Sequence, residues 1–432
     1  MKTKASINIG LLGLGVVGGG VARMLGEKAE NLAEQVGCPL VLKRILVRQP
    51  DKKRSLDVGP GLLTTEAQDI LADPEIDMVV EVMGGENPAL EYISQALLGG
   101  KHVVTANKEV LSKHGPELLS QAQSRGVGLR YEASVGGGIP LVAPFQRDLA
   151  GNRISGIQAI INGTTNYILT RMAAEGLDFG LALSQAQELG YAEPDATNDI
   201  EGIDAAYKLA ILATLAFRSQ VRPQDVYHEG IGKLAWRDFR YARELGYAIK
   251  LLAIARERDE TIEARVHPAF IPEDFLLARV DGVFNAVQVE GDLVGNVIFY
   301  GRGAGALPTT SAIIADVVEL ARNICRGASP GPGPRFERTK AIRPMSHIIT
   351  RYYLRMNVTD SPGVLAQIAR ILGDHAIGIS SVIQKESDEG AGTAEIVIMT
   401  HPAEERAMTA SLEEVKGLKV VKEISSFIRV EA

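Results

Sequence analysis

Gly13-Leu14-Gly15-Val16-Val17-Gly18 decides the fold, because it follows an apolar run, Ile7–Leu12, and opens a helical pattern. Glycine-rich turns are common, but one set between a strand and a helix is the context in which Gly-x-Gly-x-x-Gly marks a dinucleotide site. Gly13 permits the tight turn, Gly15 lets the backbone approach a pyrophosphate, and Gly18 lets the helix lie close to the strand. Leu14, Val16 and Val17 complete the binding turn. The helix then presents its free N–H groups to the anion. The bland alternative is a tight strand-to-helix turn without a ligand.

Working outward, apolar β-branched runs recur at Leu40–Val47, Met78–Met83, His102–Thr105 and Val127–Tyr131, with helical patterns at Val16–Glu34 and Pro88–Leu98. Near-continuous apolar strands alternating with helices predict a parallel sheet covered on both faces. Residues 1–135 therefore read as an α/β, Rossmann-type doubly wound nucleotide-binding domain. Cofactor choice turns on the end of the second strand, where an NAD site places a carboxylate for the ribose. This chain has Val47-Arg48-Gln49 there, with Asp51 the first acid and Lys52, Lys53 and Arg54 close by. The Arg48 guanidinium suits a 2′-phosphate. NADP(H) is expected, with NAD(H) as the alternative; the neighbouring lysines also read as a solvated loop.

Ligands of open α/β sheets sit beyond the carboxyl ends of the strands. Three such ends are unusual: Glu81-Val82-Met83-Gly84-Gly85, Thr105-Ala106-Asn107-Lys108 and Glu132-Ala133-Ser134-Val135-Gly136-Gly137-Gly138-Ile139-Pro140. Lys108 reads either as a surface cation or as a substrate-facing group. The triple glycine exposes carbonyls and amides that could bind an ion or cradle a substrate.

The 432 residues exceed one hydrophobic core, so two or three domains are expected. A net charge of -7 argues against a general affinity for nucleic acid or anionic membrane. No run of 18 apolar residues occurs, and the start lacks a signal-peptide cleavage site. Two cysteines, Cys38 and Cys325, build no disulfide framework and suit a reducing, cytoplasmic setting.

From about 150 to 310 longer helices appear, among them 197–217 and Arg237–Arg256, beside strand-like runs at Ile157–Ile161 and Val283–Val289. Asp204 and Lys208 are one helical turn apart and share a face. Such spacing usually marks an exposed ion pair. Here Ala205 to Phe217 carry no other charge than Lys208, so the helix is expected to be buried and the pair to handle protons. Repeated proline and glycine from Gly327 to Pro334 predict a linker. Beyond it, strand Tyr352–Val358, helix Val364–Gly373, strands Ile379–Lys385 and Ala394–Thr400, helix Ala403–Val415 and strand Lys419–Arg429 form a ferredoxin-like βαββαβ unit.

Several of these stretches together resemble the homoserine dehydrogenases: Gly13–Gly18, Thr105–Lys108, Tyr131–Pro140, the segment 186–208, Asn162-Gly163-Thr164-Thr165-Asn166-Tyr167 and Gly301-Arg302-Gly303-Ala304-Gly305. One departure is Asp195-Ala196, where that family usually has Asp-Pro; a proline stands at Pro194 instead. The resemblance implies reversible reduction of aspartate 4-semialdehyde to homoserine, on the route to threonine, methionine and isoleucine. It implies Lys108 and Lys208 as proton-handling lysines, Asp204 supporting Lys208, and Glu193 and Asp199 on the substrate. It places a monovalent cation, commonly sodium, at Glu132 with the carbonyls of Val135, Gly137 and Ile139. Gly303 and Gly305 would line the cofactor. The implied organisation is an α+β substrate-binding and dimerisation domain over 136–307, a return of 308–326 onto the nucleotide domain, a linker over 327–350, and a regulatory domain over 351–432.

That last stretch resembles an ACT domain, which implies a homodimer or homotetramer and threonine as an effector near Asp360–Leu365; a purely structural oligomerisation module is the alternative. A non-catalytic amino-acid- or NADP(H)-sensing protein is the competing reading of the whole, and Lys108, Asp204 and Lys208 argue against it. A phosphorylating semialdehyde dehydrogenase would need a catalytic thiol, and neither cysteine is placed for one.

Overall fold

The computed structural model describes residues 4–54, 58–328, 336, 340–388, 390 and 392–431. Four aliphatic residues with Gly10, interrupted only by half-buried Asn8, can be buried on both faces, and they form the central strand β1 (Ile7–Leu12). After it come α1 (Val16–Glu27), α2 (Ala29–Val36), β2 (Leu40–Leu46), β3 (Leu63–Thr64), α3 (Gln68–Leu71) and β4 (Met78–Glu81). The first sheet is completed by α4 (Ala89–Leu98), β5 (His102–Thr105), α5 (Lys108–Arg125) and β6 (Leu129–Arg130). The strand order is β3-β2-β1-β4-β5-β6 with parallel pairing throughout, which is doubly wound and reverses direction between β1 and β4. The single helix expected over 16–34 is two helices, parted where Lys28 leaves helical geometry at φ -110, ψ 20.

The middle of the chain forms α6 (Val142–Gln146), β7 (Ile154–Ile160), α7 (Gly163–Glu175), α8 (Phe179–Glu188), α9 (Thr197–Ile200), α10 (Ile203–Phe217), β8 (Tyr227–His228) and α11 (Trp236–Glu244). β9 (Tyr247–Arg258), β10 (Thr261–Pro272), β11 (Phe284–Gly291), β12 (Gly295–Arg302) and α12 (Ala306–Arg326) follow. Two expectations are corrected. The helix over 197–217 is interrupted by Gly202, whose φ of +77 no right-handed helix accepts. The helix over 237–256 ends at Glu244, Gly246 turns the chain at φ +80, and Tyr247–Arg258 pairs as a strand with β10 along its whole length.

The last part forms β13 (Ala341–Ile342), β14 (Ile349–Thr359), α13 (Val364–Asp374), β15 (Ile379–Asp388), β16 (Thr393–Thr400), β17 (Ala403–Glu404), α14 (Glu405–Lys416) and β18 (Val421–Val430). Its strands run β18-β14-β16-β15, and the path continues through β10, β9 and β7 to β11. β18 pairs in parallel with β10 at Ala269↔Arg429 and Phe270↔Val430, so the terminal module shares a sheet with the middle of the chain. Buried ion pairs strengthen that seam: Arg265 with Glu431 at 2.8 Å, and Arg355 with Asp238 at 2.8 Å.

The chain divides into two compact units, one of Met1–Ser155, Tyr207–Asp225 and Val289–Lys340, the other of Gly156–Ala206, Val226–Gln288 and Ala341–Ala432. These units group segments that the sequence order separates, since β18 pairs with β10 and α12 packs onto the first sheet. In the first unit, Ile313, Val317 and Leu320 of α12 are buried in one cluster with Ile7, Ile9 and Val21. Cys38 and Cys325, read as thiols with no part in a framework, are joined as a disulfide within this unit. The expected linker falls largely on residues 329–335 and 337–339, which lie outside the described residues; Ala341 and Ile342, also assigned to it, pair with β10. Among the described residues, no helix is long and apolar enough to cross a membrane.

Candidate active site

In the first unit the glycine turn is fastened to the end of β2, where Gly13 N–H donates to the Leu46 carbonyl at 3.1 Å. A Cβ on Gly18 would stand 2.1 Å from the Gly13 oxygen, whereas one on Gly15 would meet nothing within 4 Å. Gly18 therefore serves packing, and Gly15 leaves open space. Val16 in the first turn of α1 is 78% exposed, so the helix N-terminus is accessible to an anion. Arg48 is exposed two residues past β2. Arg54 instead donates to the carbonyls of Gln49, Pro50 and Lys52 at 2.6–3.0 Å and folds that loop onto itself.

A cavity of about 320 Å³ brings together Val17 of the turn, Gly84, Lys108, Gly137, Lys208 and Gly303. The two lysines, exactly one hundred positions apart in sequence, thus line one space. Lys108 stands there because Asn107 caps α5, its side-chain oxygen accepting the Val110 N–H at 3.1 Å. Gly305 lies at the start of α12, with φ +120.

The loop after β6 is shaped by close contact between backbones. A Cβ on Gly137 would lie 2.4 Å from the Gly303 oxygen, and Gly138 N–H donates to the Arg302 carbonyl at 3.1 Å. The glycines allow two backbones to touch. The Glu132 carboxylate accepts the N–H groups of Leu141, Val142 and Ala143 at 2.5–2.8 Å, capping α6. Among the described residues, no group of three or more His, Cys, Asp or Glu is placed to hold a metal ion. Asp316 of α12 accepts the Glu132 N–H at 2.8 Å, and burial holds its carboxyl well above the usual range.

In the second unit, Asn162 joins two of the expected carboxylates. Its Nδ2 donates to Asp199 at 2.6 Å and to Asp204 at 2.9 Å, while its Oδ1 accepts the Thr165 N–H and caps α7. Asp204 is buried, Asp199 half-buried and Glu193 exposed. The Glu193 loop is tied to α7 by Thr164, which donates to the Tyr191 carbonyl, and by the Tyr167 and Tyr191 rings, 4.9 Å apart. Asp204 and Lys208 both lie on α10, one turn apart. Asn162 had no role in the sequence reading; its signal was an asparagine three residues ahead of Thr165, the spacing of a helix cap.

A glycine turn on a doubly wound sheet and a lysine-lined cavity at its strand ends define a nicotinamide-nucleotide dehydrogenase. Family models agree by segment: the NAD-binding domain of homoserine dehydrogenase matches residues 13–132, homoserine dehydrogenase residues 140–318, and the ACT domain residues 352–419. The chain is 44% identical to a homoserine dehydrogenase of Synechocystis sp., covering 98% of this chain and 99% of that one. It is 42% identical to one from Neisseria gonorrhoeae, covering 99% of each. A crystal structure of a homoserine dehydrogenase from Thiobacillus denitrificans superposes with a TM-score of 0.92 at 45% identity, covering 99% of this chain and 98% of that one. A hyperthermophilic archaeal homoserine dehydrogenase in complex with NADPH aligns at TM-score 0.63 and 26% identity, over 76% of this chain and 100% of that one. The chain belongs to the homoserine dehydrogenase family.

Proposed function

We propose that this protein catalyses the reversible NAD(P)H-dependent reduction of L-aspartate 4-semialdehyde to L-homoserine. The observation that carries the reading is the cavity shared by Lys108, Lys208 and the nucleotide turn. Open space at Gly15 and the accessible α1 N-terminus fit a bound dinucleotide, and exposed Arg48 favours the 2′-phosphate of NADP(H). Bound NADPH supplies the hydride. As the aldehyde oxygen gains negative charge it needs a proton, and a lysine ammonium gives it; in the oxidative direction the amine takes the hydroxyl proton. Asp204, one turn before Lys208, supports that lysine. Asp199, held by Asn162, and Glu193 on its loop bind the substrate ammonium. No nucleophile takes part, which suits a site without a thiol.

The cation site is the one that the resemblance implies. Sodium would rest on Glu132, whose carboxylate also accepts three N–H groups, and on the carbonyls of Val135, Gly137 and Ile139, and no step depends on it. The stretch Asp360–Leu365, exposed except for Val364, runs from the end of β14 into the first turn of α13 and is the proposed threonine site. Assembly as a homodimer or homotetramer is supported by β15, which ends its sheet path with Val382 exposed. A cytoplasmic location is supported by the family's biosynthetic chemistry.

One assay tests the reading: NADPH oxidation with aspartate semialdehyde, repeated with NADH and with threonine added. Lys108→Ala and Lys208→Ala should each lower kcat by about 10²–10⁴. Arg48→Ala should cost about tenfold in kcat/KM with NADPH and little with NADH. Wild-type protein inactive with either cofactor would sink the proposal.

A further inference from the structure

Glu81 ends β4, a four-residue strand buried throughout, and is itself 0% exposed. A carboxyl in such a place is costly unless its oxygens are bonded, and the fold could fill the position with an apolar residue. Its bonds lead to the cavity. One oxygen accepts the Met83 N–H at 2.7 Å, at the start of the loop that reaches Gly84 and Gly85. The other accepts the Thr105 hydroxyl at 2.6 Å, across the β4–β5 pair. Thr105 Oγ1 in turn accepts the Asn107 N–H at 3.0 Å, and Asn107 Nδ2 donates back to the Gly85 carbonyl at 2.7 Å. The ring is closed: Glu81, the 83–85 loop, Asn107, Thr105, Glu81.

We propose that Glu81 is a positioning residue for the reaction, locking the two strand-end loops that line the cavity and, through Asn107 as the cap of α5, fixing Lys108. The inference rests on the role given to Lys108 above. Gly84, Gly85, Asn107 and Lys108 all line the cavity, so a shift in either loop reaches the reacting groups. Two donors, the Met83 N–H and the Thr105 hydroxyl, point at the carboxyl and favour its ionised form. Burial works against that form and raises the group's pKa, and the Thr105 and Met83 bonds counter it.

The test compares Glu81→Gln, Thr105→Val and Thr105→Ser in the full chain. Glu81→Gln and Thr105→Val should each lower kcat by about 10- to 100-fold, the effect of misplacing a group by a fraction of an ångström to an ångström. Thr105→Ser, which restores the hydroxyl, should recover most of that loss. In a Lys108→Ala background the Glu81→Gln effect should shrink to about twofold or less, because both changes disable the same group. An unchanged kcat with only a lower melting temperature would overturn the proposal, as would the full loss repeated without Lys108. Should Lys108→Ala keep wild-type turnover, the lysine's catalytic role fails on its own. Glu81 then stands only if Glu81→Gln weakens NADPH binding, read by fluorescence, by about tenfold.

Discussion

Gly15 and Gly18 sit three positions apart in one turn, yet a methyl group on each should do different things. At Gly18 it would meet the Gly13 oxygen at 2.1 Å, so Gly18→Ala should lose about 1–3 kcal/mol of stability in urea unfolding. At Gly15 it meets no protein atom within 4 Å, so Gly15→Ala should fold normally and bind NADPH at least about tenfold more weakly. Equal melting behaviour of the two variants would refute the assignment. At this scale the sequence was most legible where spacing carries meaning, as in the glycine turn. It was least legible for Glu132. The amides it caps are 9 to 11 residues further on, around a five-residue helix too short to show a period. Asn162 was hidden for a related reason: the carboxylates it bridges come from 37 and 42 residues away.

The central strands of the first sheet were read nearly to the residue, because buried parallel strands are short apolar runs between turn signals. β9 was misread because Ala248 to Ala255 suits a buried helix as well as a buried strand, and periodicity cannot separate the two. β10 went unnoticed because it holds Arg265, His267 and Pro268 among its apolar residues. Those polar side chains make sense only with β18 alongside. Glu431, 2% exposed, pairs with Arg265 at 2.8 Å and Arg256 at 3.3 Å. Glu431→Gln would leave the Arg265 guanidinium with Glu263 alone, at 3.0 Å. The expected cost is about 3 kcal/mol in the full chain, read as a lower urea midpoint, since a buried charge loses one of its two carboxylates. A midpoint within experimental error of wild type would show the seam to be held by backbone pairing and apolar contact alone.

Across the whole molecule, buried ionisable groups set opposing pH dependences. Burial pushes the His102 imidazole down to about 4 and drives His267 well below its ordinary 6.5. Both are neutral in the fold and gain protons on unfolding below about pH 6.5, so their contribution is complete above that pH and is lost as the pH falls. Asp316 acts in reverse: its raised pKa keeps a proton in the fold that the unfolded chain gives up above about pH 4, so stability declines as the pH rises. The stability difference between wild type and a His102→Gln, His267→Gln double variant should therefore shift against wild type between pH 6.5 and 5. The slope should reach at most about 2.7 kcal/mol per pH unit for two protons. A pH-independent difference would contradict the burial of the two rings. The family and the module order were readable from the chain, but the two-unit division was not, since strand pairing between distant segments leaves no local mark. The return of α12 to the first sheet also has a consequence in time. On the ribosome, β1 to β6 emerge well before Ile313, Val317 and Leu320 exist to cover them. At about 5–20 residues per second the nascent nucleotide unit waits roughly 10–40 s with that apolar face open. During synthesis, then, the domain that begins the chain cannot finish folding until α12, three quarters of the way along it, has been made.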